Sequence, residues 1–269
     1  MGHTRLGTIP KSRKWSEVVA ELARFGSDVA AEQRTLQAGI ATIARRAIEA
    51  AGGALKGAAD DIGLRYTFYL LTQITLSARE EDWVEALRKN GIDLSGSSSV
   101  FDLTVELQAA VDRRISASSH PSDVSEMAQS AAGEAIAALA SSEAVTMFGS
   151  GRDELQRAIR SLSTKKGFSD LGQVFFGRFI ARLLNFYLSR VTASQLGAGE
   201  FRQVGEISSF NQALQAHCEQ SARIVRDFCG EWYSKTEFIQ GIDLENASAF
   251  VAVALKKLRS ELQRQEAEA

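Results

Sequence analysis

Apolar positions recur three and four apart along nearly the whole chain, the mark of helices that each bury one face. The pattern predicts a first helix from Trp15 to Phe25, stopped by Gly26, with Ser27 placed to cap a second that runs towards Ala51. The stripe of this second helix is Val29, Leu36, Ile40, Ile43, Ala47 and Ile48, and Gly52 with Gly53 reads as its end. LRYTFYLLTQITL, at 64–76, is rich in aromatic and β-branched residues, as a buried strand would be. Its length, and the lack of a second strand-like run to pair with it, favour a buried helix. EEDWVEALRKNG then reads as a short helix with acids in its first turn and Gly91 as its stop.

GIDLSGSSS, at 91–99, has the composition of a flexible connector. Ser99 and Asp102 start a helix to about Ala117, with Phe101, Val105, Leu107, Val111 and Ile115 as its apolar positions. SASSHPSD, at 116–123, joins serine runs to one of only two prolines and is the strongest internal boundary. Helices follow from Ser122 to Leu139 and over 151–162. The longest spans 168–192 and is apolar around so much of its circumference that it belongs in the middle of a bundle. Gly172 and Gly177 would let neighbours approach it closely.

After a linker at 193–209, the stripe Phe210, Leu214, Cys218, Ala222, Val225, Cys229 and Trp232 predicts one continuous helix. It is expected to end near Ser234, because Gly230, Ser234 and Thr236 all lower helix propensity. Asp243 caps a final helix with Leu244, Ala247, Val251, Ala254, Leu258 and Leu262 as its stripe, widened by Phe250 and Leu255. The fold expected is all-α, an irregular multi-helix bundle with essentially no β-sheet. It comprises a basic arm over 1–14 and one helical domain over 15–269, with a sub-boundary at 116–122.

Composition changes this picture little. The 269 residues are 45% hydrophobic and carry a net charge of −2, which argues against a protein that coats nucleic acid over its whole surface. The first residues lack the apolar core of a secretory signal, and Leu6 occupies the position where myristoylation needs Ser or Thr. No run of about 20 uncharged apolar residues is present, so no membrane span is expected. The only cysteines, Cys218 and Cys229, would stand roughly 16 Å apart on a continuous helix. A disulfide requires less than about 7 Å, so a reduced, cytoplasmic chain is expected.

Strong catalytic and cofactor signatures are missing: no P-loop, no HExxH, no CxxC, no GxSxG, and no Glu-x-x-His pair. His217-Cys218-Glu219 supplies only half of a zinc-deaminase signature. FGSGRDEL, at 148–155, places GSG before a helix, where an anion can meet free N–H groups, yet it reads more simply as a helix–helix turn. No cofactor or metal is implied.

Four features carry candidate binding residues. The arm holds Arg5, Lys11, Arg13 and Lys14 without an acid, together with Leu6 and Ile9. Arg178, Arg182 and Asn185 share one face of the long helix, either to hold an anion or to pair with acids on a neighbouring helix. Tyr233 and Lys235 close the penultimate helix, where Glu231 is spaced to pair with Lys235 and Arg223 with Asp227. Lys256 and Lys257 mark the outer face of the last helix. TRLG near the amino end and WYSK near the carboxyl end resemble bacterial sequences and imply no activity. The leading expectation is a non-enzymatic interaction protein, an adaptor or subunit of a larger bacterial cytoplasmic assembly with a protein partner. The alternatives are nucleic-acid association through the arm and the last helix, and an enzyme whose site is assembled from distant residues.

Overall fold

The computed structural model describes residues 12–28, 33–94, 99–118, 121–140, 151–194 and 204–264. Among these there are twelve α-helices and no β-strand, so the chain is an all-α multi-helix bundle. In chain order they are α1 (Arg13–Asp28), α2 (Gln33–Ala50), α3 (Gly52–Ala59), α4 (Ile62–Ser77), α5 (Trp83–Lys89) and α6 (Val100–Ser118). Then come α7 (Asp123–Ala140), α8 (Arg152–Leu162), α9 (Lys165–Ser194), α10 (Val204–Ser221), α11 (Arg223–Ile239) and α12 (Leu244–Arg264).

Two helices organise the rest. The long, apolar α9 packs against α2, α7, α8, α10 and α11, the central place its composition predicts. The strand-like segment is the second hub: it forms α4, which packs against α3, α5, α6, α7, α8 and α12. Asp61 starts it by accepting the Leu64 N–H at 2.9 Å. Its buried Thr75 bonds back to the Leu71 and Thr72 carbonyls, so tertiary burial prevails over the β preference of the segment. The hubs meet at Phe68, whose ring lies 5.2–6.1 Å from those of Phe168, Phe175, Phe176, Trp232 and Phe250.

Close crossings depend on glycine. A Cβ on Gly177 would stand 2.6 Å from the Glu219 Cα, and one on Gly230 would stand 2.1 Å from the Lys165 carbonyl oxygen. Gly230→Ala therefore drives α11 away from the start of α9. The expected loss is about 1–3 kcal/mol in urea unfolding, despite alanine's better helix propensity. An unchanged midpoint would show that this crossing is slack.

Several local expectations are corrected. α1 begins at Arg13 and continues through Gly26, so Ser27 lies inside it and does not cap α2. Gly52 and Gly53 do not close the second helical region but open α3 after a kink at Ala51. Ile92 and Leu94 are buried, so the start of the expected connector is anchored in the core, while 95–98 lie outside the described residues. In α6 the buried stripe is Val100, Leu103, Leu107, Ala110, Val111 and Ile115, which rotates Phe101 and Val105 to the surface. Its start is as expected: the Ser99 hydroxyl accepts the Asp102 N–H at 3.1 Å, and the Asp102 carboxylate accepts the Ser99 N–H at 3.1 Å.

Residues 210–234 are not one helix, because a turn at Ala222 separates α10 from α11. α11 does not end at Ser234 but runs to Ile239, after which Gly241 adopts φ +78. A left-handed residue beyond the last turn is what stops it.

Candidate functional site

The arginines of α9 lie between α7 and α10. Arg178 Nε bonds Glu219 of α10 at 3.2 Å, and its Nη1 lies 3.6 Å from the Glu134 carboxylate of α7. Arg182 Nη2 bonds the other Glu134 oxygen. Two guanidinium groups thus meet two carboxylates, which is the pairing alternative, and the charge balance leaves no excess to attract an anion. The cleft above them, about 310 Å³, is also lined by Met127, Asn185 and Gln215. Arg182 Nε and Asn185 Oδ1 are buried without a hydrogen-bond partner.

A second feature escaped the sequence reading. Ten of the sixteen residues of α4 are buried. The other six are Ile62, Arg65, Tyr66, Tyr69, Gln73 and Leu76. Apart from Arg65 they step by four, three, four and three, so they form a single open face on an otherwise enclosed helix. The Tyr66 and Tyr69 rings stand 5.8 Å apart, and the Arg114 guanidinium of α6 lies 5.7 Å over Tyr66. Burial raises both phenol pKa values, more than Arg114 lowers that of Tyr66.

Towards its carboxyl end this face opens into a groove of about 570 Å³. Gln73, Leu76 and Glu80 form one side, Glu85, Ala86 and Lys89 of α5 the other, and Glu81 and Asp82 close the end. Two links hold the α11–α12 turn beside it. Gln73 Nε2 donates to the Ile242 carbonyl at 3.0 Å, and Arg79 Nη1 pairs with Glu237 at 3.2 Å. Arg79 also donates to the Ser163 carbonyl ahead of α9, and Gln156 of α8 donates to the Glu80 carbonyl at 2.9 Å. On this braced turn, Phe238 is 88% and Ile239 73% exposed.

The remaining candidates are scattered. Arg5 and Lys11 lie outside the described residues; Arg13 and Lys14 are exposed in the first turn of α1, with Arg13 3.6 Å from Glu17. The arm's root is fixed, because Trp15 is buried with its ring 6.1 Å from that of Tyr187. Tyr233 is corrected from surface to core: it is fully buried, stacked on Phe168 at 3.9 Å, with its hydroxyl 3.0 Å from that of Thr75. Trp232, expected in the core, is only partly covered and packs at 4.3 Å on Phe250. Lys235 stays exposed and pairs with Glu231 at 3.6 Å as expected. Glu231 is held more tightly by Lys165 at 2.6 Å, and that hydrogen bond lowers its pKa. The expected Arg223–Asp227 pair is not formed; Arg226 bonds Asp170 of α9 at 2.6 Å instead. Lys256 and Lys257 are exposed on α12, with Lys257 Nζ 5.0 Å over the Phe228 ring, on a different pair of helices from Arg178 and Arg182.

Cys218 and Cys229 are both fully buried, and burial drives their pKa values far up. A protonated thiol in that setting is a packing group and not a nucleophile. Burial also lowers the His217 pKa. For the GSG turn, 148–150 lie outside the described residues, and the Gly151 N–H at the start of α8 is met by the chain's own Glu154 at 3.3 Å. Among the described residues no group of His, Cys, Asp and Glu is arranged to hold a metal, and no helix is long and apolar enough to cross a membrane. The chain matches no family model, no curated protein and no solved structure.

Proposed function

We propose that this chain is a non-enzymatic helical interaction protein, a subunit or adaptor of a larger assembly, and that the open face of α4 with the Phe238–Ile239 tip is its docking surface. The exposure of those two side chains carries the reading. Large apolar groups held in water at the end of a hydrogen-bonded, doubly braced helix give the folded monomer nothing. Covered by a partner, each contributes about 1.5–3 kcal/mol. Tyrosine, arginine and an apolar knob beside a groove also match the composition of interface hot spots. The two buried, unpaired thiols favour a reducing compartment, in line with a cytoplasmic assembly.

The combined variant Phe238→Asp, Ile239→Asp tests it. Its thermal stability should stay within about 0.5 kcal/mol of the original, since both positions are solvated. In affinity purification from cells that make the protein, the partner held by the unaltered chain should be lost. Undiminished recovery of that partner by the variant would place the docking surface elsewhere.

A further inference from the structure

The groove is lined mainly by acidic and polar side chains, with two apolar ones among them. Glu80, Glu81, Asp82 and Glu85 line it with one cation, Lys89, and with the apolar Leu76 and Ala86 on facing sides; Glu85 is paired with Arg88 at 2.5 Å, so Glu80, Glu81 and Asp82 carry most of the acidic charge. The complementary ligand is a segment that alternates cations with a few apolar side chains. This chain contains one: between residues 5 and 14 it carries Arg5, Lys11, Arg13 and Lys14, no acid, and the apolar Leu6 and Ile9.

Geometry decides between a chain's own groove and that of a second copy. Trp15 fixes the root of the segment against Tyr187, towards the carboxyl end of α9. The acidic end of the groove lies at the opposite end, where Arg79 bonds Ser163 just ahead of Lys165. From Lys165 to Tyr187 the helix axis covers about 33 Å. From Ser12 back to Arg5 a fully stretched chain covers at most about 25 Å. Even fully stretched, the segment's backbone stops about 8 Å short and Lys11, Arg13 and Lys14 farther still, so the segment does not lie along the acidic end of its own groove.

We infer that residues 5–14 of one copy dock in the α4–α5 groove of a second copy, with the cations against Glu80, Glu81, Asp82 and Glu85 and the apolar side chains along Leu76 and the Phe238–Ile239 tip. The inference rests on the docking surface proposed above and names its occupant. Two copies that exchange their segments reciprocally close as a two-fold pair, and one-way exchange forms rings or open chains. Being built largely from exposed charges, it weakens as salt rises.

Sedimentation velocity of the full chain, from low micromolar concentration upward, tests this. The unaltered protein should associate with rising concentration, and association should fall at high salt. Arg5→Glu with Lys11→Glu should weaken it about tenfold or more, as should Glu80→Lys with Glu81→Lys, because like charges then face each other. Combining all four changes in one chain should restore association, and an equimolar mixture of the two double variants should yield assemblies of 1:1 composition. Circular dichroism melts that match the original exclude misfolding as the cause. Association indifferent to both reversals overturns the inference. So does a protein that stays monomeric throughout. If that monomer still loses its cellular partner on Phe238→Asp, Ile239→Asp substitution, the docking surface stands and only its occupant is wrong.

Discussion

Phe68→Ala is expected to lower the unfolding free energy by about 3–5 kcal/mol, well beyond the cost of substitutions on the solvated faces of the bundle. Phe68 is fully buried, and its ring meets three rings of the other hub helix, Phe168, Phe175 and Phe176, together with Trp232 of α11 and Phe250 of α12. Removing it leaves a void bordered by α4, α9, α11 and α12 together, and stiff rings cannot collapse into it as aliphatic side chains would. Urea unfolding followed by far-ultraviolet circular dichroism measures the loss. A cost below about 1 kcal/mol would mean that the hubs are not joined through this residue.

Tyr233→Ala should cost a similar amount, about 3–5 kcal/mol, whereas Tyr233→Phe should cost about 1 kcal/mol. The difference separates the stacked ring from the hydroxyl shared with Thr75. Burial, partly offset by Thr75 and Arg79, pushes the phenol pKa up from 10.0 to about 12. A raised pKa on an acid means that the fold favours the neutral form. That contribution is complete below pH 10 and is lost as pH climbs through about 12. Tyr233→Phe should therefore flatten the fall in stability over that alkaline window. An equally steep fall in the variant would assign it to other groups.

The helices were legible because their apolar stripes are long. The stripe of α12, from Ala247 to Leu262, is buried as its spacing implies. Phase was harder to read than existence. Across the turn at Ala222 the register resets, and Cys229 is followed on the buried face by Tyr233, four residues on, where the pattern allowed Trp232, three on. Either step keeps a residue near the same face, so only packing against Phe168 decides. In α6 the same ambiguity exchanged Val100 and Leu103 for Phe101 and Val105.

The candidate site was less legible, for two physical reasons. The partners of Arg178 and Arg182 are Glu134 and Glu219, on helices distant in sequence, so one-dimensional spacing shows the arginines and not their neutralisation. The open face of α4 was hidden by the opposite effect. A helix apolar on every side gives no contrast, so Tyr66, Tyr69 and Leu76 looked no different from Phe68 and Leu71. With Ile62 and Gln73 they step by four, three, four and three, a spacing present in the sequence. What marks them is that α5 and the α11–α12 turn stand beside this face without covering it.

Hydroxyl-radical footprinting of the free chain and of its complex tests the central claim most directly, since it reads the accessibility of aromatic and sulfur side chains. Tyr66, Tyr69 and Phe238 report on the α4 surface, and Met127 reports on the arginine cleft between α7 and α9. Binding is predicted to slow oxidation of the three aromatics and to leave Met127 unchanged. Protection of Met127 with no change at Tyr66, Tyr69 and Phe238 would contradict the account and move the docking surface to the cleft.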